Sequence, residues 1–332
     1  MKKPKVALVA TGGTIASLGA DSLDVLNYGA TNRRLGASDL IERFPELSLE
    51  HVIIAAEFRR VASNDIGFAE WKELALLLER LPQENPDLAG IVVAHGTATL
   101  EETAYFLHLT LRVGVPVVLV GSQRPPTALS SDAGMNLLAA VRTAATREVR
   151  GAGVLVVMND EIHGAREVTK TSTLRLHTFA SPDFGMLGQV DNDRVVMLRT
   201  PTTRHPIDAP FDLASIEALP RVDICHAYAG CDGVGSRAFV AAGARGIVSA
   251  GFAPGVTSPA ETAALVEAVR DGIAVVQASR VLSGRVPRTL RNDERGFVCA
   301  GNLNPQKSRI LLALALTVTR DRAQLQRWFD RY

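Results

Sequence analysis

The sequence predicts an α/β protein with a larger, mostly parallel N-terminal domain and a smaller C-terminal α/β domain. Short apolar, β-branched runs alternate with amphipathic segments, which is typical of βαβ units. A chain of 332 residues is long enough for two such domains. Four prolines and little periodicity between residues 200 and 220 predict a linker. We therefore expect domains at residues 1–200 and 221–332, joined by a linker at 201–220.

The N-terminal block alternates predicted strands with predicted helices. Two sets of apolar residues at helical spacing separate the strands. The first set is Trp71, Leu74, Ala75, Leu78 and Leu81, and the second is Tyr105, Phe106, Leu109 and Val113. The predicted strands are residues 6–10, 52–56, 91–93, 115–120 and 154–158.

The C-terminal block begins near Val222 and repeats the same alternation. Its predicted strands are residues 222–227, 247–250 and 273–276. Ser258-Pro259-Ala260-Glu261 predicts a helix start with a capping box and proline in the first turn. Asn304-Pro305 predicts the start of a long apolar helix. No internal repeat and no low-complexity tract interrupts this organisation.

Composition excludes several classes of function. The formal net charge is +1, so no strong overall field favours nucleic acid or an anionic membrane surface. The 3 cysteines (Cys225, Cys231 and Cys299) argue against a disulfide framework and favour buried free thiols, although a Cys225–Cys231 pair remains an alternative. The 7 histidines show no zinc-like spacing, so we expect neither a metal nor another cofactor. With no secretory leader and no membrane-spanning run expected, the predicted location is cytoplasmic.

Two short threonine segments follow predicted strands. Thr11-Gly12-Gly13-Thr14 comes after the first strand, and His95-Gly96-Thr97-Ala98-Thr99 comes after the third. Open α/β sheets bind ligands at the carboxyl ends of their strands. Two exposed threonine hydroxyls at neighbouring strand ends suggest covalent hydrolysis, provided that a base activates them. The first segment alone is equally consistent with a tight turn, and it lacks the phosphate-binding residues of a P-loop or a dinucleotide fingerprint.

Further motifs accompany the two threonine segments in a fixed order. They are Leu119-Val120-Gly121-Ser122-Gln123-Arg124-Pro125, Met158-Asn159-Asp160, Val168-Thr169-Lys170-Thr171 and Asn302-Leu303-Asn304-Pro305-Gln306-Lys307. Together the motifs resemble the bacterial L-asparaginase/glutaminase family over essentially the whole chain. The resemblance implies a flavodoxin-like C-terminal domain and a homotetramer built as a dimer of dimers. It also implies an active site on the N-terminal domain that the neighbouring subunit's C-terminal domain completes.

The resemblance also implies the site residues. Thr14 matches the threonine that attacks a side-chain amide, and Tyr28 matches the loop tyrosine that helps to activate it. Thr97 and Lys170 match a second threonine–lysine pair, in which a desolvated lysine can act as base. The implied substrate-binding residues are Ser63, which would hold a carboxylate, and Asn64, Gly96, Ala98 and Thr289.

Several of these residues also have simpler interpretations. Tyr28 could cover a surface, Lys170 could be solvated, and Thr14 could be a turn residue. Backbone N–H groups around Thr97 and Ala98 are the expected donors to an oxyanion. We interpret His95 as a packed strand-end residue rather than as a ligand or base.

Four positions depart from the family pattern around the substrate's α-ammonium group. Ala98 replaces an aspartate and Asn64 replaces a glutamine, while Thr289 and Pro254 align with a glutamate and an asparagine supplied by the partner subunit. Charge-assisted hydrogen bonds to an ammonium contribute about 1.5–3 kcal/mol each, so their loss should weaken binding of free asparagine strongly. The sequence therefore suggests a small amide without a free α-ammonium: a dicarboxylic monoamide, an N-acylated or cyclic amide, or a related lactam or lactone.

Alternatives to this interpretation remain open. An ordinary L-asparaginase would need a replacement acid such as Asp65, Asp293 or Glu294. An inactive small-molecule binding protein would retain the pocket but not the chemistry. A nucleotide-binding module is disfavoured by the missing phosphate motifs. Three arginines near Thr289 could favour an additional anionic group or form a solvated basic loop (Arg285, Arg288 and Arg291).

Overall fold

The computed structural model describes residues 2–201 and 210–332. The chain divides into two compact units, Met1–Ile207 and Asp208–Tyr332. The division falls within the segment at 201–220 that the prolines single out, and residues 202–209 of that segment lie outside the described residues. The two-domain α/β fold predicted from the sequence is confirmed.

The first unit is organised around a sheet that contains eight strands among the described residues, in the order β10-β9-β6-β5-β4-β3-β1-β2. The strands β7 and β8 form a separate two-stranded hairpin. The bounds are β1 (Lys5–Ala10), β2 (Val52–Ala56), β3 (Leu88–Ala94), β4 (Val117–Val120), β5 (Val154–Met158), β6 (Glu161–Gly164), β7 (Thr169–Lys170), β8 (Phe179–Ala180), β9 (Gly188–Val190) and β10 (Val195–Met197).

The sheet is parallel from β2 through β1, β3 and β4 to β5, and antiparallel from β5 outward through β6, β9 and β10. The chain leaves β1 toward β2 on one side and reaches β3 on the other side. This reversal is a topological switch point, where open sheets form a crevice at the carboxyl ends of their strands.

Helices cover the sheet of the first unit. The helix α3 begins after Gly67, whose backbone N–H donates to the Glu70 carboxylate, and it buries the predicted stripe from Trp71 to Leu81. Trp71 stacks on Phe106 of α4 with ring centroids 4.9 Å apart. The bounds are α1 (Ala37–Arg43), α2 (Leu47–Glu50), α3 (Phe68–Glu84), α4 (Leu100–Thr110) and α5 (Ala133–Ala145).

Two residues that the sequence assigned to elements of this unit lie outside them, and β1 and β3 begin earlier than predicted, at Lys5 and Leu88. Val113 does not belong to α4, which ends at Thr110 with Leu111 as its C-cap in extended conformation. Val115 does not belong to β4, which begins at Val117 after Pro116. Proline has no N–H to donate to a neighbouring strand, so it is typical of the edge of such a ladder rather than its interior.

The second unit has a parallel sheet with the order β11-β12-β13-β14. Its strands are β11 (Val222–His226), β12 (Gly246–Gly251), β13 (Ala274–Ser279) and β14 (Val298–Cys299). Its helices are α6 (Val234–Ala241), α7 (Pro259–Arg270), α8 (Leu290–Glu294), α9 (Pro305–Ala315) and α10 (Arg322–Arg331). The predicted strands are therefore present, with ends that differ by one to three residues.

Both predicted helix starts in the second unit are present. The Asn304 side chain accepts from the backbone N–H of Lys307 at 2.9 Å, and that of Ser258 accepts from Glu261 at 3.0 Å. The reciprocal half of the predicted capping box differs, because the Glu261 carboxylate accepts from the hydroxyl of buried Ser236 instead.

The three cysteines are free thiols, of which Cys231 and Cys299 are buried and Cys225 is partly exposed. Burial raises the pKa of Cys225 to about 11. None of the helices within residues 2–201 and 210–332 is both long and apolar enough to cross a bilayer.

Candidate active site

The two threonine segments meet at the carboxyl edge of the first unit's sheet. Strands β1 and β3 pair in register up to Ala10 and Ala94, and the Thr11 backbone N–H donates to the Ala94 carbonyl at 2.9 Å. On the next strand, the His95 N–H donates to the Val120 carbonyl at 2.8 Å. The chain therefore continues from three adjacent strands into one crevice, at the switch point between β1 and β3.

Two glycines allow the segments to approach each other closely. Gly13 has φ of +82°, and a Cβ on this residue would overlap the Cα of Gly96. A Cβ on Gly96 would in turn collide with the side chain of Ser63. Because only glycine fits such backbone contacts, these positions bring Thr14, Ser63 and Thr97 to neighbouring places along the same edge.

The first hydroxyl pair joins Thr14 and Tyr28. Their oxygens are 2.7 Å apart. Tyr28 begins a 3-10 turn (Tyr28–Thr31), and the Thr31 hydroxyl donates to the carbonyls of Leu18 and Tyr28 at 2.6 and 2.9 Å. These bonds close the loop back onto the segment that follows Thr14 and hold the phenol against the threonine.

The loop that carries Tyr28 also contacts the loop after β4. The backbone N–H of Gly19 donates to the Thr127 hydroxyl at 2.8 Å. The N–H of Leu129 donates to the Ser22 carbonyl at 2.8 Å. The segment around Tyr28 is therefore docked at both of its sides rather than free in solvent.

The second pair joins Thr97 and Lys170. The Lys170 ammonium donates to the Thr97 hydroxyl at 2.8 Å. Lys170 is the last residue of β7, which pairs with β8 as a short hairpin. Partial burial lowers the pKa of Lys170, and Glu101 in the first turn of α4 opposes this effect. A lysine with a lowered pKa beside a hydroxyl is equipped to remove its proton.

Both threonines are more enclosed than the sequence suggested. Thr14 is 8% exposed and Thr97 is 7% exposed, so the expectation of two exposed hydroxyls was wrong. The strand ends alone would leave them open, but Tyr28 and Lys170 come from distant parts of the chain and contact them. Low solvent access strengthens the electrostatic interactions within the Thr14–Tyr28 and Thr97–Lys170 pairs.

The predicted carboxylate-binding region lies beside these pairs. Ser63 is buried at the start of a 3-10 helix (Ser63–Asp65), and its side chain packs against Gly96. Its carbonyl accepts from the Thr99 hydroxyl at 2.7 Å. Asn64 and Ala98 are exposed. The structure thus brings Ser63 and Gly96 together, and leaves the side chains of Asn64 and Ala98 open to solvent.

The remaining predicted residue, Thr289, lies in the second unit. Its hydroxyl caps α8 by accepting from the Asn292 backbone N–H at 3.2 Å. Of the acids considered as replacements, Asp293 pairs with Arg288 at 3.1 Å and also with Arg322, which lowers its pKa. Pro254 lies in the turn after β12. Asp293 is therefore already neutralised by arginines of its own unit.

His95 packs as expected for a strand-end residue. The ring is fully buried, its Nδ1 lies 2.8 Å from the Gly96 carbonyl, and burial lowers its pKa to about 4. The ring is therefore neutral near pH 7, and Nδ1 donates to that carbonyl. Within residues 2–201 and 210–332, no cluster of three or more histidine, cysteine or acidic side chains is placed to hold a metal.

Gln123 lies in one of the motifs noted in the sequence, but sequence reasoning did not predict it as a site residue. The Gln123 amide oxygen lies 3.1 Å from the Thr97 hydroxyl and 3.5 Å from the Lys170 ammonium. Gln123 follows β4, the strand adjacent to β3. The signal was available, because a polar residue after a strand next to β3 belongs at the same sheet edge.

Each of the two units matches a known protein-family model. Residues 5–203 match the family model described as Asparaginase, N-terminal. Residues 221–329 match the model described as Glutaminase/Asparaginase C-terminal domain.

Individual relatives match over nearly the full length. A probable periplasmic L-asparaginase of Haemophilus influenzae is 41% identical, covering 99% of this chain and 93% of that relative. L-asparaginase 2 of Escherichia coli is 40% identical over the same shares of the two chains. The crystal structure of a probable cytoplasmic L-asparaginase from Campylobacter jejuni matches with a TM-score of 0.94, 37% identity, and coverage of 99% of this chain and 100% of the other. The resemblance seen in the motifs is confirmed: the chain belongs to the asparaginase family of amidohydrolases, which hydrolyse carbon–nitrogen bonds other than peptide bonds.

Proposed function

We propose that this enzyme hydrolyses a small amide with Thr14 as the nucleophile, and that its preferred substrate lacks a free α-ammonium group. The observation that carries the proposal is the two hydroxyl pairs at one sheet edge, followed by an exposed alanine at position 98. A dicarboxylic monoamide such as succinamate fits this arrangement, since it is L-asparagine without the α-ammonium.

The reaction follows from the contacts. Thr14 Oγ1 attacks the amide carbonyl carbon and forms a carbon–oxygen bond, while its proton passes through the Tyr28 hydroxyl to the amide nitrogen. The carbon–nitrogen bond then breaks, and the nitrogen leaves as ammonia after taking up a proton. Water attacks the resulting ester, releases the acid and restores the Thr14 hydroxyl. During these steps the Thr97–Lys170 pair acts as a second site that can hold or remove a proton.

The backbone supplies candidates for oxyanion stabilisation. Among the described residues, the N–H groups of Thr97 and Ala98 have no protein acceptor. They precede α4, and N–H groups near the start of a helix favour negative charge. They are therefore suited to the oxygen that becomes negative when Thr14 attacks.

The charge of the site supports an anionic substrate. The hydrogen bonds of Thr14, Thr97 and Lys170 go to Tyr28, to Gln123 and to one another, and none of these partners is a carboxylate. A substrate ammonium would have to lose its hydration near Lys170 and Ala98, and burying a charge without a partner is costly.

Ordinary L-asparaginase is the second candidate, because the relatives of this chain carry that name. A direct comparison separates the two. Ammonia release from L-asparagine and from succinamate reports on two substrates that differ only in the α-ammonium group. The proposal predicts that kcat/KM for succinamate is the larger; a larger value for L-asparagine, with a KM in the micromolar to low-millimolar range, would refute it.

The nucleophile is tested separately. A diazo-ketone analogue without an α-amino group should form a covalent adduct on Thr14, located by mass spectrometry of peptides. Thr14→Val removes the hydroxyl at nearly constant volume and should abolish the adduct. Saturable binding without any adduct would instead support the inactive binding protein, and an adduct on Thr97 would overturn the assignment of Thr14.

The relatives also suggest an oligomeric state and a cellular location for this enzyme. We propose a homotetramer, in which Thr289 and the arginine-rich loop of one subunit lie near a neighbour's site; light scattering tests the mass. We also propose a cytoplasmic location, as the Campylobacter protein is titled, although the Haemophilus relative is named periplasmic. Fractionation of the native cells decides between these compartments.

A further inference from the structure

Gln123 links the Thr97–Lys170 pair to a fixed part of the backbone. Its amide oxygen lies 3.1 Å from the Thr97 hydroxyl and 3.5 Å from the Lys170 ammonium. Its amide nitrogen lies 3.4 Å from the Thr173 carbonyl and 3.3 Å from the Arg175 carbonyl. The side chain therefore spans the space between the reactive pair and the segment after β7.

These contacts determine which way the amide faces. The nitrogen must point to the two carbonyls, because carbonyls only accept hydrogen bonds and the amide oxygen cannot donate. The oxygen is thus turned to Thr97 and Lys170. Lys170 donates to Thr97, and the Thr97 hydroxyl donates onward to Gln123. While Lys170 is charged, the Thr97 proton therefore points to Gln123; once the lysine is neutral, its lone pair is free to accept that proton.

The backbone of Gln123 is equally restrained. Its N–H and that of Arg124 donate to the two carboxylate oxygens of Asp132, each at 2.9 Å. Asp132 also accepts from the side chain of Asn136 in α5 at 3.1 Å. The amide is therefore presented from an anchored turn, and Gln123 itself is only partly buried, so a substitution there need not disturb the core.

We propose that Gln123 is a positioning residue that orients the Thr97 hydroxyl and provides Lys170 with a neutral rather than an anionic acceptor. This role rests on the proposed function, in which that pair handles a proton during amide hydrolysis. A neutral acceptor stabilises the ammonium less than a carboxylate at the same place would, so the lysine gives up its proton more readily. The position thereby tunes the base without touching the substrate.

The charged groups around Lys170 are consistent with this role. Glu101 acts on it from α4 and raises its pKa, against the larger lowering effect of burial. The turn after β4 carries two charged side chains, and both have partners within that turn. The Asp132 carboxylate accepts from two backbone N–H groups, and the Arg124 guanidinium donates to the Ser130 carbonyl. The segment after β7 presents the backbone carbonyl of Arg175.

The test is the titration of Lys170 in Gln123→Glu and Gln123→Met. Brief reaction with acetic anhydride at a series of pH values, read at the Lys170 peptide by mass spectrometry, gives the pKa of this amine without turnover. Gln123→Glu should raise that pKa, shifting the midpoint upward by about one pH unit or more, since a carboxylate within 4–6 Å favours the charged form. In the plot of log kcat/KM against pH, the rising part at low pH should shift to higher pH by the same amount.

Gln123→Met keeps the approximate volume but removes the acceptor. It should lower kcat about tenfold or more, without the upward shift of the midpoint. Gln83→Glu, an exposed position in the last turn of α3, introduces the same charge change as a matched control and should leave the titration unchanged. Thermal unfolding of all variants verifies folding.

The outcomes are distinct. A midpoint in Gln123→Glu that stays at the wild-type value, or Gln123→Met with wild-type kcat, would overturn the role of Gln123. If Lys170 shifts as expected but neither succinamate nor L-asparagine is hydrolysed, the proposed function fails while the positioning role stands.

Discussion

Replacing Ala98 with aspartate should move the preference of this enzyme from succinamate toward L-asparagine. Ala98 directly follows Thr97, and its side chain is exposed. A larger side chain there meets open space rather than a packed core, so the change tests recognition rather than folding. An acidic residue just before α4 is also favourable to the helix dipole, which opposes any loss of stability.

The size of the effect follows from the bond that would be created. A hydrogen bond between a new carboxylate and the substrate ammonium contributes about 1.5–3 kcal/mol. At about 1.4 kcal/mol per tenfold, the ratio of kcat/KM for L-asparagine to that for succinamate should rise by about 10- to 150-fold. The new charge will also raise the pKa of Lys170. That effect acts on both substrates alike and cancels in the ratio.

The assay is steady-state ammonia release from each substrate over a range of pH. Ala98→Asn is the matched control, since it has nearly the same volume and shape but no charge. The ratio should change much less in Ala98→Asn than in Ala98→Asp. If Ala98→Asp folds normally and the ratio stays within about twofold of wild type, residue 98 does not face the α-substituent, and the basis for an altered substrate is lost.

Three further predictions concern the remaining parts of the site and fold. Tyr28→Phe removes the 2.7 Å contact with Thr14 and should lower kcat about 100-fold or more, within the usual range for acid–base groups, while Tyr228→Phe at an exposed position should not. In the wild type, log kcat/KM should rise with pH up to the lowered pKa of Lys170 and then level off, because the lysine must be neutral to accept a proton; Lys170→Met should lose this limb, and an unchanged profile would exclude the lysine as base. Asn304→Ala removes the cap of α9 and should lower the free energy of unfolding by about 1 kcal/mol in urea denaturation, with kcat unchanged.

The carboxyl edge of the sheet was predictable from the sequence, because its physical signals are local. β-branched runs placed the strands, and the alternation with amphipathic helices predicted parallel pairing of β1 with its neighbours. Thr14 and Thr97, which follow the ends of β1 and β3 within four residues, then had to lie at one edge. The caps Ser258 and Asn304 were equally local, since each needs only a side-chain oxygen three residues before a helical N–H.

The enclosure of the site was not predictable in the same way. Lys170 lies in a strand of two residues, which is too short to show any periodicity, and it follows Thr97 by 73 positions in the sequence. Tyr28 reaches Thr14 through a loop whose shape depends on single hydrogen bonds, such as those of Thr31. Gln123 makes its contact through an amide whose orientation depends on two carbonyls after β7. Local pattern contains no information on such long-range contacts.

The two hydroxyl pairs differ in a way that bears on the substrate. Thr14 faces a phenol, whereas Thr97 faces an amine whose pKa is lowered by burial. Hydrolysis of a dicarboxylic monoamide turns a singly charged anion into a doubly charged one, and the hydrogen bonds of the two pairs involve no carboxylate that would repel either charge. L-Asparagine gains the same carboxylate on hydrolysis, but its α-ammonium would meet no carboxylate at position 98. The hydrogen-bond partners of the two pairs and the alanine at position 98 therefore favour the same substrate class.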